Sequence, residues 1–370
     1  RIMHGSRYIA KIREDLTFTV YNLYPDYVLP GKIIEVDIEV IGEPEEDKTV
    51  KLKVVLDSEN PELDGASFVG FRFASSVGTI FDIGLYPVNG TQDSILVGEA
   101  TLNKLTKSGY WNVAQIHSRD RAGNYRLENS STVGVKLFIN NPLEDIIPPK
   151  YMGNFSQELI TDYISGGWYD AKIDSINGTL QQAIRYTYSW KDSNLDYSYY
   201  GGGLTRTKLP NNNDSELYHK ESPSSTISIE DDINHLQTIL PIKEYYPTGY
   251  YKPIQQYTRD KAGQFTWLGF TDDPNDFGYS NSNTFIELRD STFVQTAFPD
   301  HRKPEIDINQ IFVKAQPTNL EAPNGETRVD IDFIARDLSD FPGKESGFSL
   351  VMATIRSPEG KEYNFDVRNP

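Results

Sequence analysis

The sequence contains no cysteine among its 370 residues. This absence excludes disulfide bonds, thiolate metal ligands and cysteine nucleophiles. Secreted eukaryotic domains often carry disulfides, so a cysteine-free repeat protein of extracellular character favours a bacterial or archaeal surface. Histidine is also scarce, and the five histidines fall in no zinc-protease, serine-hydrolase or phosphate-loop motif. We therefore expect no enzymatic activity, although carboxylate pairs of the glycosidase type stay open because sequence does not show their separation.

Basic residues and long apolar runs are few as well. The chain has 36 Lys and Arg against 53 Asp and Glu, which gives a formal net charge of −17. This charge repels phosphate backbones and anionic lipid, so neither nucleic acid nor a membrane surface is an expected partner. The sequence contains no run of about 18 apolar residues, so it predicts no membrane-spanning helix. No signal peptide is recognisable, and we expect the chain to be a processed or partial piece of a longer protein.

Two segments of the chain carry the same motif 140 residues apart. Residues 109–125 contain Gly-Tyr-Trp and then Arg-Asp-Arg-Ala-Gly-Asn-Tyr, and residues 249–265 contain Gly-Tyr-Tyr and then Arg-Asp-Lys-Ala-Gly-Gln-Phe. Every spacing within the two copies is equal. A repeat of this size predicts an array of similar domains.

A second recurrence, Asp-x-x-x-Pro, marks the predicted linkers at 26–30, 145–149 and 300–304, which are 119 and 155 residues apart. Each follows a predicted strand, and proline ends strands because it lacks the backbone donor. The predicted organisation is the end of a preceding unit (1–30), a complete first unit (31–148), a longer middle unit (149–303) and the first half of a last unit (304–370). A stretch rich in Tyr, Gly, Asn, Ser and Pro predicts an insertion in the middle unit near 197–232, formed by long loops or an extra hairpin.

Short segments with period-two alternation dominate each unit, for example Val36–Val40, Lys51–Val55 and Phe68–Phe73. Clusters of Gly, Pro, Asn and Asp separate them, and no amphipathic helix longer than about three turns is evident. Short strands at this spacing, in units of about 120 residues, predict an all-β fold of tandem Ig-like antiparallel β-sandwich domains.

With these residues placed, the chain resembles the tandem immunoglobulin-like repeats of bacterial and archaeal surface proteins, which include adhesins, surface-layer proteins and stalks. Many such repeats carry a Gly-x-Tyr-x-Val strand followed by Asp-x-Ala-Gly-Asn, and the first copy has Gly109 to Val113 and Asp120 to Asn124. The second copy departs at Pro253 and Gln264, which replace the valine and the asparagine. The resemblance implies a surface location, a structural or adhesive role, and calcium within or between domains.

The Asp-x-Ala-Gly motif is first of all a turn, because Asp accepts local backbone hydrogen bonds and Gly supplies a positive φ. A second reading makes its aspartates Ca²⁺ ligands together with acidic loop and linker residues, since calcium prefers six to eight hard oxygens. No EF-hand loop or Gly-rich calcium nonapeptide is present in the sequence. The candidate calcium ligands are Asp57, Asp64, Asp120, Asp145, Asp192, Asp196, Asp260, Asp300, Asp337 and Asp340.

An aromatic stretch in the middle unit suggests a binding surface for sugar rings or a protein partner. Its candidate binding residues are Tyr197, Tyr199 and Tyr200. The alternating Tyr186, Tyr188 and Trp190 that precede it are expected to point into the sandwich core. The Asn-x-Ser/Thr pattern marks glycosylation acceptors only if the host glycosylates its surface proteins. These sites are Asn89, Asn129, Asn154, Asn177 and Asn213.

The expected function is that of a structural or assembly component of a prokaryotic cell surface, such as a surface-layer, filament or stalk protein. Its expected partners are neighbouring copies of itself or other surface proteins. One alternative is an adhesin or carbohydrate-binding module that uses the aromatic stretch to bind glycans. The other is a non-catalytic stalk of a large secreted enzyme.

Overall fold

A computed structural model provides the structure of the chain. It describes residues 26–128, 133–163, 181–210, 219–271, 284–287, 291–300, 304–319, 326–345, 351–357 and 362–367, together with the single residues 17, 20, 302 and 347. The two largest sheet arrangements in the described residues lie within the predicted first unit and the predicted middle unit.

The described part of the first unit forms an eight-stranded arrangement with one short helix, α1, at Pro61–Asp64. The strands are β1 (Ile33–Ile41), β2 (Lys48–Leu56), β3 (Phe68–Ala74), β4 (Ile80–Pro87), β5 (Ile95–Leu102), β6 (Gly109–Arg119), β7 (Tyr125–Glu128) and β8 (Lys136–Ile139). Their order is β1-β2-β5-β4-β3-β6-β7, and β8 pairs with β6. Only two residue pairs join β4 to β5, so the strands divide into two layers at this point.

Alternation in the sequence explains the core between the two layers. In β2, Val50, Leu52 and Val54 are buried, while the lysines between them lie toward solvent. Trp111 of β6 is fully buried and packs edge-on against Phe81 at 5.2 Å between ring centroids. Burying residues of this size supplies about 1.5–3 kcal/mol each, so this face of each strand has to point inward.

The described part of the middle unit forms a nine-stranded arrangement. Its strands are β9 (Lys150–Tyr163), β10 (Gln181–Lys191), β11 (Leu204–Lys208), β12 (His219–Glu230), β13 (Ile233–Ile242), β14 (Gly249–Arg259), β15 (Phe265–Thr271), β16 (Thr284–Glu287) and β17 (Thr292–Val294). Their order is β16-β15-β14-β11-β12-β13-β10-β9, and β17 pairs with β14. Among the described strands, β15 and β16 form the one parallel pair.

The two units share one topology, because β9 to β15 take the places of β1 to β7 in the strand order and β17 takes that of β8. The stretch 197–232, predicted to hold long loops or an extra hairpin, contains two paired strands, β11 and β12, which correspond to β3 and β4. Its irregular part includes a 3-10 turn at Tyr200–Gly202. The added strand β16 extends the sheet beyond β15.

The middle unit has a core of its own. Tyr186, Tyr188 and Trp190 are buried in it, as their alternation predicts. The hydroxyl groups of the two tyrosines have polar partners on other strands: Thr207 Oγ1 donates to Tyr186 Oη at 3.0 Å, and Tyr188 Oη lies 2.7 Å from Thr238 Oγ1. Such pairing is needed because a buried hydroxyl without a partner is costly.

The described part of the last unit contains three two-stranded sheets and a 3-10 turn at Ile308–Gln310. Its strands are β18 (Glu305–Ile306), β19 (Phe312–Pro317), β20 (Thr327–Asp332), β21 (Ala335–Arg336), β22 (Val351–Arg356) and β23 (Glu362–Val367). The predicted all-β fold class, with antiparallel β-sandwich architecture, is confirmed. Among the described residues, no helix has the length and apolar character needed to cross a membrane.

Candidate functional site

The repeated Asp-x-Ala-Gly motif forms the tight turn between β6 and β7, and again between β14 and β15. In the first copy, the amide of Asn124 donates to Asp120 Oδ1 at 2.7 Å. In the second copy, the amide of Gln264 donates to Asp260 Oδ1 at 2.8 Å. The glycine of each motif has a positive φ, 80° and 84°, which a residue with a Cβ adopts only under strain.

In each unit, the strand that follows this turn contacts the Asp-x-x-x-Pro linker that precedes the unit. Arg126 Nε donates to the carbonyl of Pro30 at 2.5 Å, and Thr266 Oγ1 donates to the carbonyl of Pro149 at 2.6 Å. The two donors are 140 residues apart and the two acceptors 119 residues apart. The two recurrences of the sequence thus meet in space. We call this contact between the linker and the strand after the turn the linker clamp.

In the first unit, Asn124 completes the clamp. Its Nδ2 donates to Asp120 Oδ2 at 2.7 Å and to the linker carbonyls of Asp26 and Val28 at 3.0 and 3.1 Å. Burial raises the pKa of Asp120, and the two hydrogen bonds from Asn124 oppose that rise. One amide side chain therefore joins the turn to the linker and also stabilises the carboxylate.

Gln264 replaces this asparagine in the middle unit and points elsewhere. Its Nε2 donates at 2.6 Å to Thr79 Oγ1, which belongs to the first unit. Asp260 is fully buried, and its Oδ2 has no hydrogen-bond partner among the described residues. Because its side chain is one methylene longer, Gln264 donates a hydrogen bond to the neighbouring unit, whereas Asn124 donates one to the aspartate of its own turn.

Two further predicted aspartates, Asp145 and Asp192, lie near Asp260 at the junction. Burial raises the pKa of Asp260 to about 7; the amide of Gln264 opposes this, and the charges of Asp192 and Asp145 add to it. Burial likewise raises the pKa of Asp192 to about 6, with the charge of Asp145 contributing. Asn194 Nδ2 donates to Asp145 Oδ2 at 2.9 Å, which ties the linker to the loop that holds Asp192.

The other predicted calcium ligands do not join this group. Asp64 accepts hydrogen bonds within its own loop, from Ser58 Oγ at 2.5 Å among others, and Asp57 follows β2. Asp196 pairs with Arg259, and Asp300 Oδ1 accepts the amide of Arg302 at 3.1 Å.

Asp337 and Asp340 lie in the last unit, where Asp337 Oδ2 accepts the amide of Gly347. Within the described part of the chain, no three Asp, Glu or His side chains stand in positions that could hold a metal ion. Of the ten candidates, Asp145, Asp192 and Asp260 lie near one another without coordinating geometry, and the others lie apart from them.

The candidate tyrosines lie over the outward face of the sheet in the middle unit. The ring of Tyr199 is 6.0 Å from that of Tyr257 and 5.7 Å from that of Phe265, measured between centroids. The Arg259 guanidinium lies 4.2 Å above the Tyr199 ring. Tyr200 packs against Tyr199, and Tyr197 donates from its hydroxyl to Asn234 Oδ1.

Sequence reasoning missed three residues that complete this face. Trp267 stacks on Tyr257 at 4.5 Å, and Arg206 forms an ion pair with Glu221 at 2.6 Å. The signal that could have found Trp267 is the 140-residue spacing, which extends past the motif to Leu127 and Trp267.

Two of the predicted glycosylation sites lie in described residues, and both are exposed: Asn89 in the turn after β4, and Asn154 in β9. Asn129, Asn177 and Asn213 lie outside the described residues. Asn154 has a φ of 56° and Asn89 Nδ2 donates to Asp93 Oδ2 at 3.1 Å.

No protein-family model and no curated protein matches the chain. Among solved structures, the crystal structure of a tetra-tandem repeat in the extending region of a large adhesion protein is similar to the chain at 10% identity. The match covers 90% of this chain and 72% of that chain with a TM-score of 0.18. A TM-score of this size does not establish a shared fold.

Proposed function

We propose that the chain is a structural component of a surface assembly, in which β-sandwich units follow one another as a stiff array. The observation that carries this proposal is the linker clamp, which recurs in both complete units and fixes each linker against the unit that follows it. A freely jointed chain of domains has no need for such contacts.

Direct contacts between successive units support the same function. Gln264 of the middle unit bonds to Thr79 of the first, and a Cβ on Gly263 would lie 3.0 Å from the Thr79 methyl. Toward the last unit, Phe298 packs edge-on against Phe341 at 5.7 Å, and Lys344 pairs with Glu244 at 3.2 Å. These contacts restrict bending at both junctions.

The proposed location is the surface of a prokaryotic cell, as part of a surface layer, a filament or a stalk, with neighbouring copies or other surface proteins as partners. The lack of cysteine and the net charge of −17 support this location. The alternatives are an adhesin that binds glycans through the aromatic residues of the middle unit, and the non-catalytic stalk of a secreted enzyme. We propose no catalytic role for this chain.

We also propose calcium as a ligand of the junction between the first and middle units. Its support is the buried, unpartnered Asp260 Oδ2 together with the neighbouring carboxylates of Asp145 and Asp192. Binding requires these two side chains to turn toward Asp260, because they do not stand in coordinating positions. Hard oxygens of this kind are the ligands that calcium prefers.

Calorimetric titration of the chelator-treated chain at pH 8 tests the calcium proposal. We expect millimolar calcium to raise the melting temperature of the middle unit, and Asp260→Asn to abolish that rise. Asp340→Asn, which removes the same charge at an exposed position, serves as the control. Absence of both heat and a melting shift would end the calcium proposal.

Electron microscopy of the native cell surface tests the main proposal. A regular lattice or a filament of end-to-end units that an antibody to this chain labels would support assembly. Labelled single fibres, together with binding of the chain to a glycan array, would favour the adhesin. A catalytic domain encoded in the full-length gene would favour the enzyme stalk.

A further inference from the structure

The outward face of β3, β4, β6 and β7 in the first unit has a close counterpart on β11, β12, β14 and β15 in the middle unit. Residues face each other across the strands in the same register: His117 faces Leu127 as Tyr257 faces Trp267, and Arg119 faces Tyr125 as Arg259 faces Phe265. The likeness extends to the neighbouring strands. There the Arg72–Asp82 ion pair, at 2.8 Å, corresponds to the pair of Arg206 and Glu221.

In the middle unit the chain covers this face with its own segment, residues 196–203. Tyr199 lies against Tyr257 and Phe265, and Tyr257 is only 5% exposed as a result. Arg259 contacts the segment in two ways, because its guanidinium lies over the Tyr199 ring and its Nε donates to Asp196 Oδ2 at 3.1 Å. The arrangement combines cation–π contact with a charge-assisted hydrogen bond.

The first unit lacks such a segment. The amide of Ser67 donates to the Arg119 carbonyl at 2.8 Å, as the amide of Asp196 donates to that of Arg259 at 2.9 Å, so these two residues correspond. After Ser67 the chain enters β3 directly, and Gly70 already faces His117. After Asp196, seven residues precede Leu204, which faces Tyr257. The tyrosine-rich segment 196–203 is thus an addition of the middle unit.

The equivalent face of the first unit is more open: Phe68 packs against His117 at 5.6 Å between ring centroids, while the neighbouring side chains lie toward solvent. Tyr125 is 49% exposed and Leu127 62% exposed, and Tyr86 is exposed beside them. Arg119 is exposed as well, and no carboxylate among the described residues forms an ion pair with it. Exposed aromatic rings next to an unpaired arginine are typical of protein-binding surfaces.

We propose that this face, centred on His117, Arg119 and Tyr125, binds an acidic, tyrosine-bearing segment of another protein chain. The middle unit indicates what the occupant is. There Asp196 and Tyr199 contact Arg259 and cover the face that corresponds to the exposed face of the first unit. Local charge supports the choice, because an exposed arginine that pairs with no carboxylate among the described residues is suited to a carboxylate ligand. The interaction goes beyond the proposed assembly, which rests on end-to-end contacts.

The probe for the test is a fluorescent peptide with the sequence of residues 194–203, titrated with the full chain and followed by anisotropy. We expect saturable binding of one peptide per chain. Arg119→Glu and Tyr125→Ala should each weaken it at least tenfold. Tyr110→Ala, which alters an exposed ring near the opposite end of β6, should leave it unchanged. A peptide that carries Asp196→Asn and Tyr199→Leu should bind at least tenfold more weakly.

A second variant keeps the proposal open to disproof even if the peptide is weak. The double substitution Asp196→Asn and Tyr199→Ala in the chain removes the carboxylate and the ring that cover the middle unit, so the number of bound peptides should rise from one to two. Circular dichroism and melting of each variant check that it folds. No saturable binding at millimolar peptide, or binding that Arg119→Glu does not weaken, overturns the proposal. Glycan-array binding that Arg119→Glu removes, without peptide binding, replaces it with a carbohydrate site.

Discussion

At the scale of single residues, the difference between Asn124 and Gln264 has the largest consequence. The shorter amide reaches back to the carboxylate of its own turn, whereas the longer one reaches Thr79 of the neighbouring unit. Asp260 is left with a buried oxygen that lacks a hydrogen-bond donor. Such an oxygen costs about 1–3 kcal/mol unless it is protonated or finds a cation.

The raised pKa values of Asp260, about 7, and Asp192, about 6, give the pH dependence a definite sign. In the unfolded chain both groups titrate near 3.8, so between about pH 4 and pH 7 the folded protein binds more protons. Stability therefore falls as the pH rises through this window. In chelator we expect the middle unit to melt at a higher temperature at pH 5 than at pH 8, by calorimetry.

Asp260→Asn should flatten that dependence and stabilise the middle unit at pH 8, on the order of 2 kcal/mol. The exposed Asp340→Asn controls for the change in net charge. A melting temperature that rises from pH 5 to pH 8, or that is equally pH-dependent in Asp260→Asn, would contradict the assignment.

Gln264→Asn tests the residue difference directly. We expect the shorter side chain to donate to Asp260 Oδ2, as Asn124 does to Asp120, and to lower the pKa of Asp260. The bond to Thr79 is lost at the same time. Carboxyl carbon NMR titration measures the pKa, and an unchanged Asp260 titration in a folded variant would show that the amide does not reach.

At the scale of strands and turns, the sequence carried most of the information. Alternation predicted β2, β3, β6 and β10 because one face of each is buried among apolar side chains. The stretch from 197 to 232 was harder to predict. In β12, Ile227 and Ile229 are exposed, and four of the twelve residues are serines and one is a proline, so its composition is that of a loop.

The site was less predictable than the strands. The clamp donors Arg126 and Thr266 share only a position and no chemistry, so no motif could mark them. The closeness of Asp145, Asp192 and Asp260 depends on how two units meet, which local sequence does not encode. The turn role of Asp120 and Asp260, in contrast, followed from the chemistry of Asp and Gly.

The separate cores make a prediction for unfolding. Trp190→Ala removes a fully buried ring from the middle unit, which typically costs 3–5 kcal/mol. We expect calorimetry to show one transition shifted downward while the transition of the first unit stays in place, apart from small changes through the junction.

Trp111→Ala should lower the calorimetric transition of the first unit and leave that of the middle unit in place. Hydrogen exchange, read by peptide, assigns each transition to its unit. If either substitution lowers both transitions equally, the two units fold as one cooperative body.

At the scale of the whole molecule, stiffness depends on a few hydrogen bonds at the junctions. The double substitution Gln264→Ala and Thr266→Ala removes the bonds to Thr79 and to the Pro149 carbonyl. We expect small-angle X-ray scattering to show a broader range of maximum dimensions, with both cores intact by circular dichroism. The pair Gln115→Ala and Ser156→Ala, at strand positions away from the linkers, is the control, and an unchanged scattering profile would contradict the role of the clamp.

The clamp also bears on how such a chain changes its length over evolutionary time. In each unit the strand after the turn binds the linker in front of its own sandwich, so a linker and the sandwich behind it form a cassette that carries its own attachment. Copying or deleting one cassette leaves every remaining linker attached to its own sandwich. The number of units can therefore change by gene duplication without new contacts having to arise at each linker. Single positions such as Gln264 then determine the contacts between neighbouring units.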